Sequence, residues 1–180
     1  IVVNDGSTDN TVKKIENLDL KNLKLINNEK NLGAGQSLIV GINEFLQTEE
    51  SHLVKIDGDN QFKQIDIEKL IALSNEGYDF VKCDRFWENG IEGKIPTIRY
   101  VGNALATLMI KISTGNWRLN DPLNGLFMFS RKSVENFTLP KIFNKYGYPF
   151  FINTYMSRKI VSSNFKVAQI NNTVVYSNEK

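Results

Sequence analysis

Short apolar runs alternate with helix-periodic stretches along the first half of this chain. Ile1–Val3, Leu23–Ile26, Leu53–Ile56 and Phe80–Cys83 read as strands. Between them, Thr11–Leu18, Gly33–Leu46 and Ile65–Ser74 read as helices. In the third of these, Ile67, Leu70 and Ile71 recur at helical spacing, and Gly77 lies where a helix would stop. A strand–helix order of this kind predicts an α/β fold, Rossmann-like, with a mostly parallel central sheet and helices on both faces. The second half is less regular. Tyr100–Ile112 reads as an apolar helix, Gly125–Phe129 as a strand, Phe150–Val161 as a helix and Lys166–Ile170 as a last strand. With no linker or repeat between the halves, residues 1–180 are expected to form a single domain. Ile1 opens directly on a strand run, so that domain is expected to be truncated at both ends.

Composition narrows the class of function. Hydrophobic residues make up 41% of the 180 residues and charged residues 23%, as in ordinary globular protein. A net charge of +2 is too balanced for nucleic acid to be the main partner. No run approaches the roughly 20 apolar residues that span a bilayer. Cys83 is the only cysteine, which rules out an internal disulfide, and its apolar neighbours Phe80 and Val81 point to a buried structural thiol. His52 is the only histidine, so a multi-histidine metal site is excluded. Chemistry in this chain falls to carboxylates, amides and arginines.

Two acidic loops follow strands, and in an open α/β sheet ligands bind beyond the carboxyl ends of strands. The first is Asn4-Asp5-Gly6-Ser7-Thr8-Asp9. Gly6 suits a turn, and Ser7 or Asp9 suits a helix cap. Asp5 is left over, and a carboxylate there can accept from a base N–H or a ribose hydroxyl. The second is Asp57-Gly58-Asp59-Asn60-Gln61. Two carboxylates one residue apart offer hard oxygen ligands to a divalent cation, and Gln61 adds a carbonyl oxygen. Such a cation would bridge a diphosphate and stabilise its charge as it leaves. A polar turn accounts for the same residues without a ligand. Asp57, Asp59 and Glu68 also match three positions of an EF-hand loop, but Phe62 stands where that loop needs glycine and a strand precedes it. Asn31-Leu32-Gly33-Ala34-Gly35 is half of a dinucleotide fingerprint, with Leu38 in place of the third glycine.

In their order, the stretches IVVNDGSTDNT, NLGAGQSLIVGI, VKIDGDNQF, VKCDRF and DPLNGLFMFSR resemble the family 2 glycosyltransferases, with the GT-A fold. The glutamine closing the D-x-D loop, Arg85 after the fourth strand and the closing VVYSNEK are most similar to the polyprenyl- or dolichyl-phosphate sugar synthases within that family. The resemblance implies an inverting transfer of a sugar from a UDP- or GDP-linked donor. The preferred acceptor is a polyprenyl phosphate; alternatives are a polysaccharide or other hydroxyl acceptor, or a module that binds sugar nucleotides without catalysis. It implies that Val3, Asp5, Asp57, Gly58 and Asp59 bind the nucleotide sugar. Asp57, Asp59 and Gln61 would bind Mg or Mn, and Arg85 and Arg99 phosphate or sugar. Asp121, before Pro122 and the Asn124-Gly125 turn, is the candidate catalytic base for a hydroxyl acceptor, whereas an ionised phosphate needs none. The uncharged segment Tyr100–Ile110 is expected either in the core or lying on a membrane surface, and the resemblance favours the surface. A cytoplasmic location at the inner face of a membrane follows from that preference.

Overall fold

The computed structural model describes residues 1–87, 89–136 and 148–176, with side chains in the last stretch from Asn153 onward. Its contacts fall into two compact units. Ile1–Glu50 makes up most of the first. The second begins at Ser51 and takes in the described residues from Asn153 onward.

In the first unit, β1 (Val2–Asn4) pairs in parallel with β2 (Leu25–Asn27), with α1 (Thr11–Glu16) between them in sequence. The long helix α2 (Ala34–Leu46) packs on β1 and buries Leu38, Ile39, Ile42 and Phe45 at the spacing of one helical face. Asp9, one residue before the N-cap Asn10, accepts from the Thr11 amide at 3.0 Å.

The second unit holds β3 (His52–Lys55), α3 (Gln64–Asn75), β4 (Phe80–Asp84), β5 (Ile91–Gly93) and α4 (Thr97–Thr114). These are followed by β6 (Phe127–Ser130), α5 (Arg131–Glu135), α6 (Tyr148–Val161), β7 (Val167–Asn171) and β8 (Val174–Tyr176). Its main sheet has the order β3-β6-β4-β7. The α/β class stands, but β6 enters between β3 and β4 antiparallel to both, and only β4–β7 is parallel. The three-residue strands β5 and β8 form a separate parallel pair.

β4 is buried at every position, so both faces of the sheet are covered there. On one face Val81, Cys83, Leu126 and Met128 pack with Leu70 of α3, and Val54, Ile67, Ala168 and Ile170 close around them. On the other, Phe80 stacks on Phe129 with ring centroids 4.7 Å apart, and Phe127 meets Phe129 edge-on at 5.2 Å. Truncating Leu70 to alanine at the centre of the first face should cost about 2–5 kcal/mol. A buried carboxylate ties neighbouring strand ends: Asp79 accepts from Ser130 Oγ, Lys132 Nζ and the Lys166 amide at 3.0–3.1 Å. Burial raises its pKa, but those bonds outweigh it and hold the carboxyl below its usual value.

Cys83 sits in the first of these faces, fully enclosed. Burial pushes its thiol up to about 12, and the thiolate is the reactive form. The folded protein should therefore resist a thiol-reactive dye at pH 8 and label fully in denaturant. Rapid native labelling would contradict this packing.

Candidate functional site

In the first unit, Asp5 follows β1 and is tied into the chain around it. Its Oδ1 accepts from Asn28 Nδ2 at 3.0 Å and from the Leu32 amide at 2.8 Å; its Oδ2 accepts from the Gly33 amide at 2.8 Å. Partial burial raises the Asp5 pKa, and the bonds from Asn28, Leu32, Ser37 and Gly33 more than reverse it, leaving the carboxyl below its usual value. The sequence offers no structural account of Asp5, and these bonds supply one: it pins the loop that leads into α2. Gly6 makes that possible. Its φ is +68°, and a Cβ there would meet the Asn31 nitrogen at 2.6 Å. Val3, half-buried in β1, abuts Gly41 of α2, whose absent Cβ would lie 3.5 Å from its side chain.

In the second unit, Asp57, Gly58, Asp59 and Gln61 form the loop directly after β3. The Asp57 side chain is 41% exposed and Asp59 is exposed. Asp59 Oδ1 accepts from the Gln61 amide at 3.2 Å, and Asn60 takes a left-handed φ of +56° that asparagine tolerates. The loop's far end is fastened to β8 by a bond from the Val175 amide to the Gln61 carbonyl at 3.0 Å. The Asn124-Gly125 turn packs against its near end. A Cβ on Gly125 would lie 2.2 Å from Asp57 Oδ2, so a side chain there would push the carboxylate aside.

Among the described residues, no group of three or more histidine, cysteine or acidic side chains gathers to hold a metal. Two accessible carboxylates and an amide oxygen nevertheless fit a hard cation that takes its remaining ligands from a diphosphate.

Behind this loop lies a buried polar network. Asp121 is fully enclosed. Its Oδ1 accepts from Arg85 Nη2 at 3.2 Å, and its Oδ2 from the Arg85 amide and Asn124 Nδ2, each at 3.2 Å. Arg85 Nε lies 3.0 Å from Oδ2, close enough for a charge pair but without hydrogen-bond alignment. Burial pushes the Asp121 carboxyl up, against the opposing pull of Arg85. Arg85 Nη1 donates to the Tyr176 hydroxyl at 3.1 Å, and the Arg99 guanidinium lies 5.3 Å over the Tyr176 ring. Asn124 Nδ2 also donates to Asn172 Oδ1 at 2.9 Å. Asp121 is enclosed and holds Arg85. The two arginines differ as well: Arg99 is exposed, while Arg85 is 6% exposed.

Two lysines escape the sequence reading. Lys55 Nζ donates to Asp57 Oδ1 at 2.5 Å. Lys82 is fully buried, donating to the Asn124 carbonyl at 2.5 Å and to Asn153 Oδ1 at 3.1 Å. Burial lowers its pKa to about 7, with Asp121 opposing and Lys55 reinforcing the shift. A lysine inside an apolar strand run was the available signal, since an ammonium there needs a partner.

Replacing Gly125 with alanine should displace Asp57 and weaken divalent-cation binding at least ten-fold, while the circular dichroism spectrum stays native. Unchanged cation affinity in Gly125→Ala would contradict the close packing of turn and loop.

Residues 1–138 match the model of glycosyl transferase family 2. An uncharacterized protein of Methanocaldococcus jannaschii is 34% identical over 118 residues, which are 63% of this chain and 49% of that protein. The UDP-N-acetylglucosamine–dolichyl-phosphate N-acetylglucosaminyltransferase of Methanococcus voltae is 29% identical over 151 residues, 75% of this chain and 59% of that enzyme. The chain thus spans about half the length of these curated relatives. Among solved structures, the glucosyl-3-phosphoglycerate synthase of Mycobacterium tuberculosis in complex with Mn2+ and UDP-glucose aligns with a TM-score of 0.63 at 21% identity. That alignment covers 100% of this chain and 60% of the mycobacterial one, and it shows a shared GT-A fold. The chain belongs to glycosyl transferase family 2.

Proposed function

We propose that this chain transfers a sugar from a nucleoside-diphosphate donor to a polyprenyl phosphate. The observation that carries the reading is the open carboxylate loop at the end of β3, in a chain of this family. Asp57, Asp59 and Gln61 would hold Mg or Mn at that loop, where the ion would supply Lewis-acid stabilisation to the charge on a leaving diphosphate. Gly58 leaves room for the diphosphate to approach the backbone between them. In the first unit, Asp5 holds the loop before α2 and Val3 packs against that helix.

In the transfer, the bond from the sugar's anomeric carbon to the diphosphate oxygen breaks, and its electron pair leaves with the diphosphate. A bond to an acceptor oxygen forms on the opposite face, inverting that carbon. An ionised phosphate brings its own nucleophile, whereas a hydroxyl needs a carboxylate to take its proton. The enclosure of Asp121 and its commitment to Arg85 support the phosphate. Arg99, exposed beside Tyr176, offers a planar fork to such an oxyanion, with Arg85 behind it. The methanococcal relative, by its name, acts on dolichyl phosphate.

Helix α4 supports a meeting with lipid. It buries only Ile110 and Thr114. Ile98, Val101, Leu105, Leu108, Met109 and Ile112 recur at intervals of three and four and are exposed, Ile98 at 85% and Ile112 at 65%. Between residues 93 and 120 the charged residues are Lys94, Arg99, Lys111 and Arg118, with no carboxylate among them. An apolar stripe with basic flanks suits an anionic membrane surface. No helix among the described residues is long and apolar enough to cross a membrane.

The test is sugar transfer from UDP- and GDP-sugars to polyprenyl phosphate in anionic vesicles, beside soluble glycan acceptors. Transfer to the lipid should require a divalent cation and fall at least 100-fold in Asp59→Ala. The double variant Leu105→Glu/Ile112→Glu should lose vesicle binding while keeping its cation affinity. Transfer to a sugar hydroxyl with none to polyprenyl phosphate would overturn the acceptor assignment.

A further inference from the structure

Phe127 of β6 is the register partner of Lys55 on β3 and of Lys82 on β4, so three adjacent strands carry a lysine–phenylalanine–lysine row. Both ammonium groups approach the same ring, Lys55 Nζ 5.8 Å and Lys82 Nζ 4.6 Å from its centroid. Lys82 spends its bonds on neutral acceptors, Asn124 and Asn153. Lys55 has a side chain only 11% exposed, and its anionic partner is Asp57. A largely desolvated ammonium beside a second cation depends on such a partner. Yet Asp57 Oδ1, the atom it holds, belongs to the carboxylate pair read above as the cation site.

We propose that Lys55 is a built-in competitor for Asp57, an internal cation that a divalent ion must displace, and that it couples cation binding to diphosphate binding. The proposal rests on the reading of Asp57 and Asp59 as cation ligands. A divalent ion arriving alone takes the Asp57 oxygen and leaves the Lys55 ammonium without its anion, next to Lys82. A diphosphate arriving with the ion gives Lys55 new acceptor oxygens at the same strand end. Cation and diphosphate therefore strengthen each other's binding, and the lone cation binds weakly. The Lys55–Asp57 pair remains neutral between substrates.

Mn2+ binding to the protein, followed by electron paramagnetic resonance with and without UDP or GDP, tests this for wild type, Lys55→Gln and Lys55→Arg. In Lys55→Gln, Mn2+ alone should bind at least ten-fold tighter than in wild type, and the gain from added nucleotide should shrink. Lys55→Arg keeps the charge and should retain wild-type weakness, which separates competition from a change of side-chain shape. Equal Mn2+ affinity in wild type and Lys55→Gln, or an Arg variant that binds as tightly as the Gln variant, overturns the competitor while leaving the carboxylate site standing. If neither wild type nor Lys55→Gln binds Mn2+ at millimolar concentration, the carboxylate site fails, and the competitor with it.

Discussion

The pairing of Arg85 with Asp121 is the interaction on which the second unit's chemistry depends. Neither group can be buried alone, because an unpaired charge in a protein interior costs several kcal/mol. Paired, they fix three pieces of chain. Asp121 receives the backbone amide at the end of β4 as well as the guanidinium, so the strand end and the turn before β6 are joined. Asn124 bonds to the same carboxylate, which sets the approach of Gly125 to Asp57. Tyr176 receives the other terminal nitrogen of Arg85 and carries Arg99 over its ring, linking β8 to the start of α4. The exposed carboxylate loop is therefore open on one side and held from behind by a network that tolerates little movement.

Such a division suits a site that must change partners. The residues on the solvent side, Asp57, Asp59 and Arg99, have few fixed bonds, and of these Asp57 alone is held by an ion pair, to Lys55. The residues behind them have their polar atoms largely committed, and Asn172 Nδ2 is a buried donor left unpaired. Lys55 sits on the border between the two groups, with its stem inside and its charge on Asp57. Asp5 plays a comparable holding part in the first unit, where two backbone amides and Asn28 converge on it.

Much of this was legible from residue order. The carboxylate loop could be placed because an apolar run ends abruptly at Asp57, and strand ends are where such folds bind ligands. The helices α2, α3 and α4 follow from periodicity, and the acidic loop after β1 from the same logic as the one after β3. Other features depend on contacts distant in sequence. The antiparallel entry of β6 between β3 and β4 is a choice of neighbours, and no local pattern encodes it. β5 and β8 are too short to show a period. Asp121 was visible as a residue but not as half of an ion pair, since Arg85 lies 36 positions away. Lys55 and Lys82 interrupt strand runs in a way that signals burial, but not with whom. Of the closing tyrosine–glutamate pattern, Tyr176 is placed, while Glu179 falls outside the described residues.

The central claim is that the loop after β3, backed by the Asn124-Gly125 turn, is where a divalent cation and a diphosphate meet. Paramagnetic broadening of backbone amide signals by Mn2+ in the presence of UDP or GDP tests it most directly. The account predicts that the amides of Gly58, Asp59 and Gly125 broaden first, and that those of β7 are spared. Broadening centred elsewhere, or an unperturbed Gly58–Asp59 loop, would contradict it.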